Sequence, residues 1–373
     1  MPSGNASSRN LVLSLLAKRF VILTGASGTG KTQLAEGLAR QYAEGDASRF
    51  AVVAVGADWT DNRHVLGYVN HLRQALFEEV EKPIFQSTPV LDLLLRARND
   101  KENKPYFLVL DEMNLSHVER YFADFLSAME RRKGTLQLHS NQGSLPRSEN
   151  DTLGVPQEIP FPRNLFVIGT VNVDETTYMF SPKVLDRANV IEFRMGENDL
   201  GNFLMGDGSP PDYGTATAQE AQDFFLLASS DALDDFPESV KTASADHLRK
   251  IFTLMESCRF EFGYRAAKEV MRFLKICRHL AEDKTAWDGG AWLTDMDTQI
   301  LQKLMPRLHG GKARMVPLLT DLGYLCHGSE KPAGARLDSL QGLQETAKFP
   351  RSFEKIRAMA KVLIEEQFVS FIC

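Results

Sequence analysis

The chain has 373 residues, of which 43% are hydrophobic and 25% are charged, and its formal net charge at pH 7 is −6. This length accommodates two domains with separate cores, and this composition excludes wholesale disorder. The negative charge gives no global electrostatic reason to expect nucleic-acid binding, and no apolar run approaches the roughly 20 residues that span a bilayer.

The cysteines indicate the cellular compartment. Four of them are scattered along the chain without a CxxC pair, and the N-terminal stretch MPSGNASSRN lacks the apolar core of a signal peptide. Disulfides persist mainly in oxidising compartments, so this pattern favours a reduced environment. We therefore predict a cytoplasmic protein.

The first half of the chain alternates short apolar runs with helical patterns, which is typical of a parallel sheet flanked by helices. Each run is nearly continuous in apolar character, as expected for strands covered on both faces. Helices are predicted at TQLAEGLARQYA and TPVLDLLLRARND, with Thr88 placed to cap the second and Pro89 in its first turn. The predicted strands are RFVILTG (19–25), FAVVAVG (50–56), YFLVLDE (106–112), NLFVIGT (164–170) and NVIEF (189–193).

The remaining segments complete the predicted architecture. Residues 134–162 flank a Ser-, Asn-, Gly- and Pro-rich loop with short strand-like runs, and we predict a hairpin that projects from the sheet. Beyond Phe193 the pattern is helical, with no further strand signal. We therefore predict an α/β domain over residues 1–196 and an all-helical domain over 197–373. The last helix should bury one face, formed by Phe353, Ile356, Met359, Ala360, Leu363 and Ile364.

The stretch GASGTGKT directly follows the first predicted strand and opens a helix. Its glycines let successive backbone N–H groups point into one anion-sized hollow, and the helix dipole adds positive potential. In this pattern Lys31 neutralises the β- and γ-phosphates, and the Thr32 hydroxyl ligates magnesium. We predict that Mg-ATP or Mg-GTP binds to Gly25, Ala26, Ser27, Gly28, Thr29, Gly30, Lys31, Thr32 and Gln33.

Polar side chains follow two other predicted strands. Asp111 ends the third strand at the carboxyl edge of the sheet, where a carboxylate can hold magnesium. Glu112 beside it is suited to polarising water, which favours hydrolysis over transfer to an acceptor. Asn114 either orients that water or Glu112, or simply forms a turn.

The fourth strand delivers Asn172 to the same edge, provided that it lies next to the third strand in the sheet. An amide there can donate to the γ-phosphate or to the attacking water and accept from a neighbour. Asn172 would therefore detect the state of the phosphate.

The order of these motifs resembles that of AAA+ ATPases. Four stretches resemble the McrB branch in particular, near the MoxR and dynein-related group. The resemblance extends over nearly the whole chain from about Leu11 and includes LMPRLHGGKARMVPLL. It implies a nucleotide-binding αβα domain followed by a helical lid. The four stretches are FVILTGASGTGKTQLA, DEMNLSHVERYFADFLSAME, NLFVIGTVNVDETTYMFSPKVLDRANVIEF and FGYRAAKEVMRF.

The resemblance also assigns two arginines. Arg187 stands where the family places an arginine finger that reaches the γ-phosphate bound to the neighbouring subunit. The alternative for Arg187 is a salt bridge to Asp186 or Glu192. Arg265, in FGYR, resembles the second sensor, which contacts the nucleotide from the lid of its own chain; the alternative is a solvated arginine at a helix start.

McrB proteins are motor subunits of modification-dependent restriction systems. The resemblance therefore implies a homo-oligomeric ring of six chains that drives a nuclease-type protein partner, with DNA contacted indirectly or through that partner. If the chain is complete, target recognition lies in another protein or in an unseen domain, and cleavage belongs to a partner. A MoxR-like chaperone, which shares every catalytic residue, and a non-hydrolysing scaffold are the alternatives; Glu112 argues against the scaffold.

One departure concerns the base. The McrB branch is noted for GTP and for M-N-x-x-D, whereas this chain has Val171-Asn172-Val173-Asp174, with the acid one residue earlier. A shift of one residue turns a side chain to the opposite face of a strand. We therefore expect ATP rather than GTP. Asp174 and Glu175 remain unassigned: they bind a partner, support Asn172 or cap the helix that presents Arg187.

Overall fold

The structure, a computed structural model, describes residues 6–71, 83–131, 133–148, 151, 154–173, 178, 180–193, 201, 205, 213–230, 233, 235–344 and 346–372. Internal contacts divide the chain into two compact units. The predicted domain boundary at residues 196 and 197 lies outside the described residues and stays a prediction. Unit 1 is Met1–Leu11, Arg19–Arg187 and Glu192–Ser229, and unit 2 is Val12–Lys18, Ala188–Ile191 and Ser230–Cys373.

The secondary structure alternates strands and helices first and is mainly helical afterwards. The strands are β1 Phe20–Gly25, β2 Phe50–Ala54, β3 Tyr68–Asn70, β4 Ile84–Gln86, β5 Tyr106–Asp111, β6 Thr135–Gln137, β7 Glu158–Pro160, β8 Leu165–Asn172, β9 Asn189–Glu192, β10 His309–Gly311 and β11 Phe368–Ser370. The helices are α1 Ala6–Ala17, α2 Lys31–Tyr42, α3 Arg63–Leu66, α4 Pro89–Asn99, α5 Val118–Tyr121, α6 Ala123–Glu130, α7 Pro182–Leu185, α8 Ala218–Ser229, α9 Glu238–Ser257, α10 Tyr264–His279, α11 Lys284–Ala286, α12 Trp292–Gln299, α13 Lys312–His327 and α14 Pro350–Glu366.

The five predicted strands form one sheet in the order β2-β5-β8-β1-β9, so the predicted α/β fold class is confirmed. Strands β2, β5, β8 and β1 pair in parallel. Gly25 at the end of β1 is in register with Asn172 at the end of β8, and Leu110 of β5 is in register with Gly169. The carboxyl ends of these strands therefore lie at one edge of the sheet.

Burial within the sheet follows strand position. Every residue of β1 is buried, and so are those of β5 and β8 apart from their last residues. Strand β2 departs from the prediction that every strand is covered on both faces, because it lies at the edge of the sheet and Val52 is 39% exposed. The apolar run of β2 therefore correctly predicts a strand, but it does not indicate that both faces of the strand are buried.

Helix α4 begins as its sequence predicts. The Thr88 side chain accepts a hydrogen bond from the Leu91 backbone N–H, and Pro89 occupies the first helical position. This cap satisfies one of the backbone donors that a helix start leaves without an intrahelical partner. Strands β6 and β7, within the segment predicted as a hairpin, pair antiparallel.

Unit 2 is mainly helical, but the prediction of no strand beyond Phe193 is wrong. Strands β10 and β11 form an antiparallel pair in which His309 is in register with Ser370. Three-residue strands, one of them containing two glycines, are too short to give a period-two signal. The predicted face of α14 is buried except for Ile364, which is 42% exposed.

A buried ion-pair cluster stabilises unit 2. The Glu269 carboxylate lies 2.6 Å from the Lys18 ammonium and 2.5 Å from that of Lys303, whose side chain is 0% exposed. Burial opposes ionisation of Glu269, but the two ammonium groups outweigh it and hold the pKa of Glu269 below its usual value. The cluster is therefore charged, and removal of its single acid would leave two buried ammonium groups together.

Replacement of Glu269 by glutamine is expected to lower the free energy of unfolding by about 3–5 kcal/mol, because it leaves buried charge uncompensated. Urea unfolding of Glu269→Gln should show this loss, whereas Asp246→Asn, which breaks the exposed pair with Arg249, should change stability by less than about 1 kcal/mol. Equal stability of the two variants would contradict the ionised cluster.

The contribution of the cluster to stability should also depend on pH. Because the folded-state pKa of Glu269 is depressed, the stabilisation by its ion pairs is present above an unfolded-state pKa of about 4.3 and disappears as pH falls through the folded-state pKa.

Candidate nucleotide-binding site

A cavity of about 260 Å³ opens at the carboxyl edge of the sheet in unit 1. Residues of the loop between β1 and α2 line one side, and Asp111, Glu112 and Asn172 line the other. The cavity therefore brings together the three motifs that the sequence places at three separate strand ends. Of the loop residues predicted to bind nucleotide, Ser27, Gly28, Gly30, Lys31, Thr32 and Gln33 line it.

The loop conformation requires glycine at specific positions. Gly28 and Gly30 have φ angles of 75° and 88°, in the left-handed region that disfavours residues with a Cβ. A Cβ on Gly25 would lie 2.2 Å from the Phe193 carbonyl oxygen, so the close approach of the two backbones also excludes a side chain there. The Thr29 hydroxyl closes the turn by donating to the Ala26 carbonyl oxygen.

Lys31 carries the positive charge of the cavity. Its side chain is only 4% exposed, and its ammonium donates to the carbonyl oxygens of Gly25 (3.0 Å) and Ala26 (2.6 Å). Burial lowers the pKa of Lys31, while the carboxylates of Asp111 and Glu112 act in the opposite direction. A phosphate in the cavity would replace weak carbonyl acceptors with charged oxygens, for which an ammonium forms stronger hydrogen bonds.

Hard oxygen ligands suitable for Mg²⁺ meet at Asp111. Its Oδ1 accepts hydrogen bonds from the hydroxyls of Thr32 and Thr170, each at 2.6 Å. The Thr32–Asp111 spacing is close to the roughly 2.9 Å between neighbouring oxygens of an octahedral magnesium ion with bonds of about 2.0–2.1 Å. Thr32 and Asp111 therefore fit a Mg²⁺ ion that is also bound by nucleotide phosphates.

Glu112 has an unusual backbone and a defined partner. Its φ and ψ are 52° and 47°, a left-handed conformation that is uncommon for residues other than glycine. One Glu112 carboxylate oxygen accepts a hydrogen bond of 2.9 Å from the Asn172 side-chain amide. Asn114, which is buried, donates from its own amide to the Asn172 backbone carbonyl at 3.1 Å, so it supports Asn172 directly.

Arg187 follows helix α7 and pairs with Glu130, the last residue of α6. The Arg187 Nε lies 2.7 Å from a Glu130 carboxylate oxygen, and the two side chains are 24% and 20% exposed. This partner differs from Asp186 and Glu192, which the sequence suggested. The ion pair leaves Arg187 near the surface of unit 1.

Comparison with known proteins gives a family for most of unit 1. A family model described as an AAA domain (dynein-related subfamily) matches residues 20–188. Residues 20–188 are an AAA-type ATPase domain of the dynein-related subfamily. The matched range contains the phosphate loop, Asp111, Glu112, Asn172 and Arg187. An AAA domain implies nucleoside-triphosphatase activity, which typically uses Mg-ATP.

The other comparisons add less. A second model, described as a domain of unknown function (DUF8727), matches residues 216–368. No curated protein matches the chain. Among solved structures, the chain is similar to a DNA polymerase III gamma subunit-related protein from Thermotoga maritima, with 9% identity, a TM-score of 0.26, and coverage of 95% of this chain and 99% of that one. A TM-score this low supports no conclusion about this chain.

Several predicted residues lie outside the AAA domain or outside the described residues. Arg265 lies in unit 2, exposed in the first turn of α10, within the range of unknown function. Its role as a second sensor stays a prediction. Asp174 and Glu175 lie outside the described residues. In the part of the chain that the structure describes, no helix is both long enough and apolar enough to cross a membrane.

Two residues near the predicted ones were missed. Thr170 contacts both Asp111 and Glu112, and its position two residues before Asn172 places both on one face of β8, which the period of a strand could have indicated. Glu130 pairs with Arg187 from a distant helix, and no local pattern in the sequence indicates that contact.

Proposed function

We propose that the AAA domain hydrolyses Mg-ATP and that each of its active sites is completed by a second copy of the chain. One observation carries the hydrolysis part of this proposal: the two adjacent acids at the end of β5, Asp111 and Glu112, have different partners. Asp111 accepts from Thr32 of the phosphate loop at 2.6 Å, whereas Glu112 accepts from the strand-ending Asn172 at 2.9 Å. This difference supports a metal-binding role for Asp111 and a water-activating role for Glu112.

The side chains then divide the work of hydrolysis. Lys31 would neutralise the β- and γ-phosphates, and Thr32 and Asp111 would hold the magnesium ion, which supplies charge stabilisation to the transferring phosphoryl group. Glu112 would accept a proton from the attacking water, and Asn172 would orient both that carboxylate and the γ-phosphate. Arg187 would add transition-state charge to the site of the neighbouring chain.

The assembly and its partner rest on the resemblance of the four quoted stretches to McrB proteins. On that basis we propose a cytoplasmic ring of six chains that drives a nuclease-type protein in a McrBC-like defence system, with DNA contacted indirectly or through that protein. Arg265 would contact nucleotide from the helical part of its own chain. ATP is the proposed nucleotide, because the acid after Asn172 is shifted relative to the GTP-using pattern.

A MoxR-like chaperone that remodels a protein complex is the second candidate, because the dynein-related match of residues 20–188 suits it equally. The two functions share their chemistry and differ in the partner. The Glu112→Gln variant binds ATP without hydrolysing it and should therefore hold its complexes together. Affinity purification of this variant from the host, in the presence of ATP, should recover a nuclease under the first proposal. Recovery of a protein complex without a nuclease would favour the chaperone.

The direct test of the proposed chemistry is phosphate release from ATP and from GTP, each with Mg²⁺ or with EDTA. We expect release with Mg-ATP, a smaller rate with Mg-GTP, and none with EDTA. The rate per chain should rise with protein concentration, because the site is shared between chains. A rate per chain that does not change with concentration, in a protein that remains monomeric throughout, would contradict the shared site.

A further inference from the structure

Thr170 links the two acids of the site through one hydroxyl group. The hydroxyl has a single proton, which it donates to Asp111 Oδ1 at 2.6 Å. Its oxygen then accepts a hydrogen bond of 3.1 Å from the Glu112 backbone N–H. The side chain is 2% exposed, so water does not compete for either bond.

These bonds are made where the backbone ladder between β5 and β8 ends. The last paired residues of the two strands are Leu110 and Gly169, and the chain turns away from the sheet at Glu112 with a φ of 52°. A left-handed residue of this kind persists only where its surroundings hold it. The Thr170 hydroxyl provides a fixed acceptor for the Glu112 N–H at that point.

We propose that Thr170 is a positioning residue: its hydroxyl sets the Asp111 carboxylate for magnesium and the Glu112 backbone for water activation at the same time. This inference rests on the proposed hydrolysis. Asp111 Oδ1 accepts hydrogen bonds from both Thr32 and Thr170, so loss of the Thr170 hydroxyl removes one of the two side-chain bonds that orient the carboxylate. The alternative is that Thr170 only fills space in a strand, a role that valine performs equally well.

The test compares Thr170→Val, which keeps the shape and loses both bonds, with Thr170→Ser, which keeps the hydroxyl. Thr170→Val should lower kcat for Mg-ATP by about 10- to 100-fold, the effect of hydrogen bonds to charged groups, and raise the Mg²⁺ concentration for half-maximal rate. Thr170→Ser should stay within about 3-fold of the wild type. ATP affinity in EDTA, measured by calorimetry, should be the same in all three proteins, because Lys31 and the loop remain intact.

Thr320→Val is the matched control, since Thr320 is also buried but donates to Val316 within its own helix. It should leave the rate and the Mg²⁺ dependence unchanged. If Thr170→Val lacks the wild-type melting transition, Thr170→Ala replaces it and is compared with Thr170→Ser in the same way. Wild-type behaviour of Thr170→Val, or equal impairment of the valine and serine variants, overturns the inference.

The proposed function and this inference can fail separately. If the wild type releases no phosphate, the proposed hydrolysis is wrong. The role of Thr170 can then still be tested by calorimetry, as the gain in ATP affinity on adding Mg²⁺. That gain should be smaller in Thr170→Val than in the wild type and Thr170→Ser. A wild type whose ATP affinity does not respond to Mg²⁺ overturns both.

Discussion

Replacement of Glu112 by glutamine is expected to lower phosphate release from Mg-ATP by about 10²- to 10⁴-fold while ATP binding is retained. Glutamine keeps the shape of the side chain and can still bond to Asn172, but it cannot accept a proton from water. The effect should therefore fall on kcat, measured in steady-state assays, and not on the affinity for Mg-ATP, measured by calorimetry.

The control for this variant is Glu36→Gln, which removes a carboxylate of the same AAA domain from an exposed pair with Arg40 on α2. It should retain wild-type hydrolysis. A Glu112→Gln protein that binds ATP and hydrolyses it at the wild-type rate would show that another group activates the water. Loss of ATP binding in Glu112→Gln would instead indicate a role for Glu112 in the ground state.

Replacement of Arg187 by alanine is expected to lower hydrolysis by about 10³- to 10⁵-fold, the range measured for arginine fingers. Arg187→Lys should remain strongly impaired, because an ammonium lacks the forked geometry of guanidinium. Nucleotide binding to the separate chain should be unchanged, since the finger acts in a neighbouring site. Phosphate release and ATP affinity are the two measurements.

Glu130→Gln distinguishes a finger from a structural ion pair. Both variants break the contact between Arg187 and Glu130, which are about one quarter and one fifth exposed, so both should lose a similar amount of stability. Only Arg187→Ala removes the guanidinium, so only it should abolish hydrolysis. If Arg187→Ala and Glu130→Gln lose hydrolysis equally and also lose the melting transition to the same extent, Arg187 has a structural role alone.

The fold was predictable because its signals are local. The strand ending at Gly25, the loop and the helix beginning at Lys31 are contiguous, and each has its own pattern of apolar residues and glycines. Strands β5 and β8 were also predictable from local patterns, because they are buried and each is a nearly continuous apolar run. The short β10–β11 pair was missed because three residues carry no period.

The site was predictable only in part, because strand order is not written in any local pattern. That Asn172 meets Glu112 depends on β8 lying beside β5, which the structure shows directly. Thr170 was overlooked because a threonine within an apolar strand is usually a β-branched strand former. Its two hydrogen bonds become visible only when the neighbouring strand and its register are known.

The partner of the AAA domain was inferred from resemblance and not from a local sequence pattern or a contact in the described residues. Ring assembly follows from Arg187 only if that residue acts in a neighbouring chain, so the shared site is the central claim. One copy of the chain would contribute Lys31 and Glu112 to a site, and the neighbouring copy would contribute Arg187 to the same site. Variants of these residues can therefore complement each other in a mixed assembly.

The most direct measurement is phosphate release by an equimolar mixture of Glu112→Gln and Arg187→Ala. Each protein alone should be inactive, but roughly one quarter of the interfaces in a randomly mixed ring would combine an intact Glu112 with a neighbour's intact Arg187. We predict that mixing restores activity to roughly that fraction of the wild-type rate. A mixture that forms joint oligomers and binds ATP, yet stays as inactive as its two components, would contradict a site shared between chains.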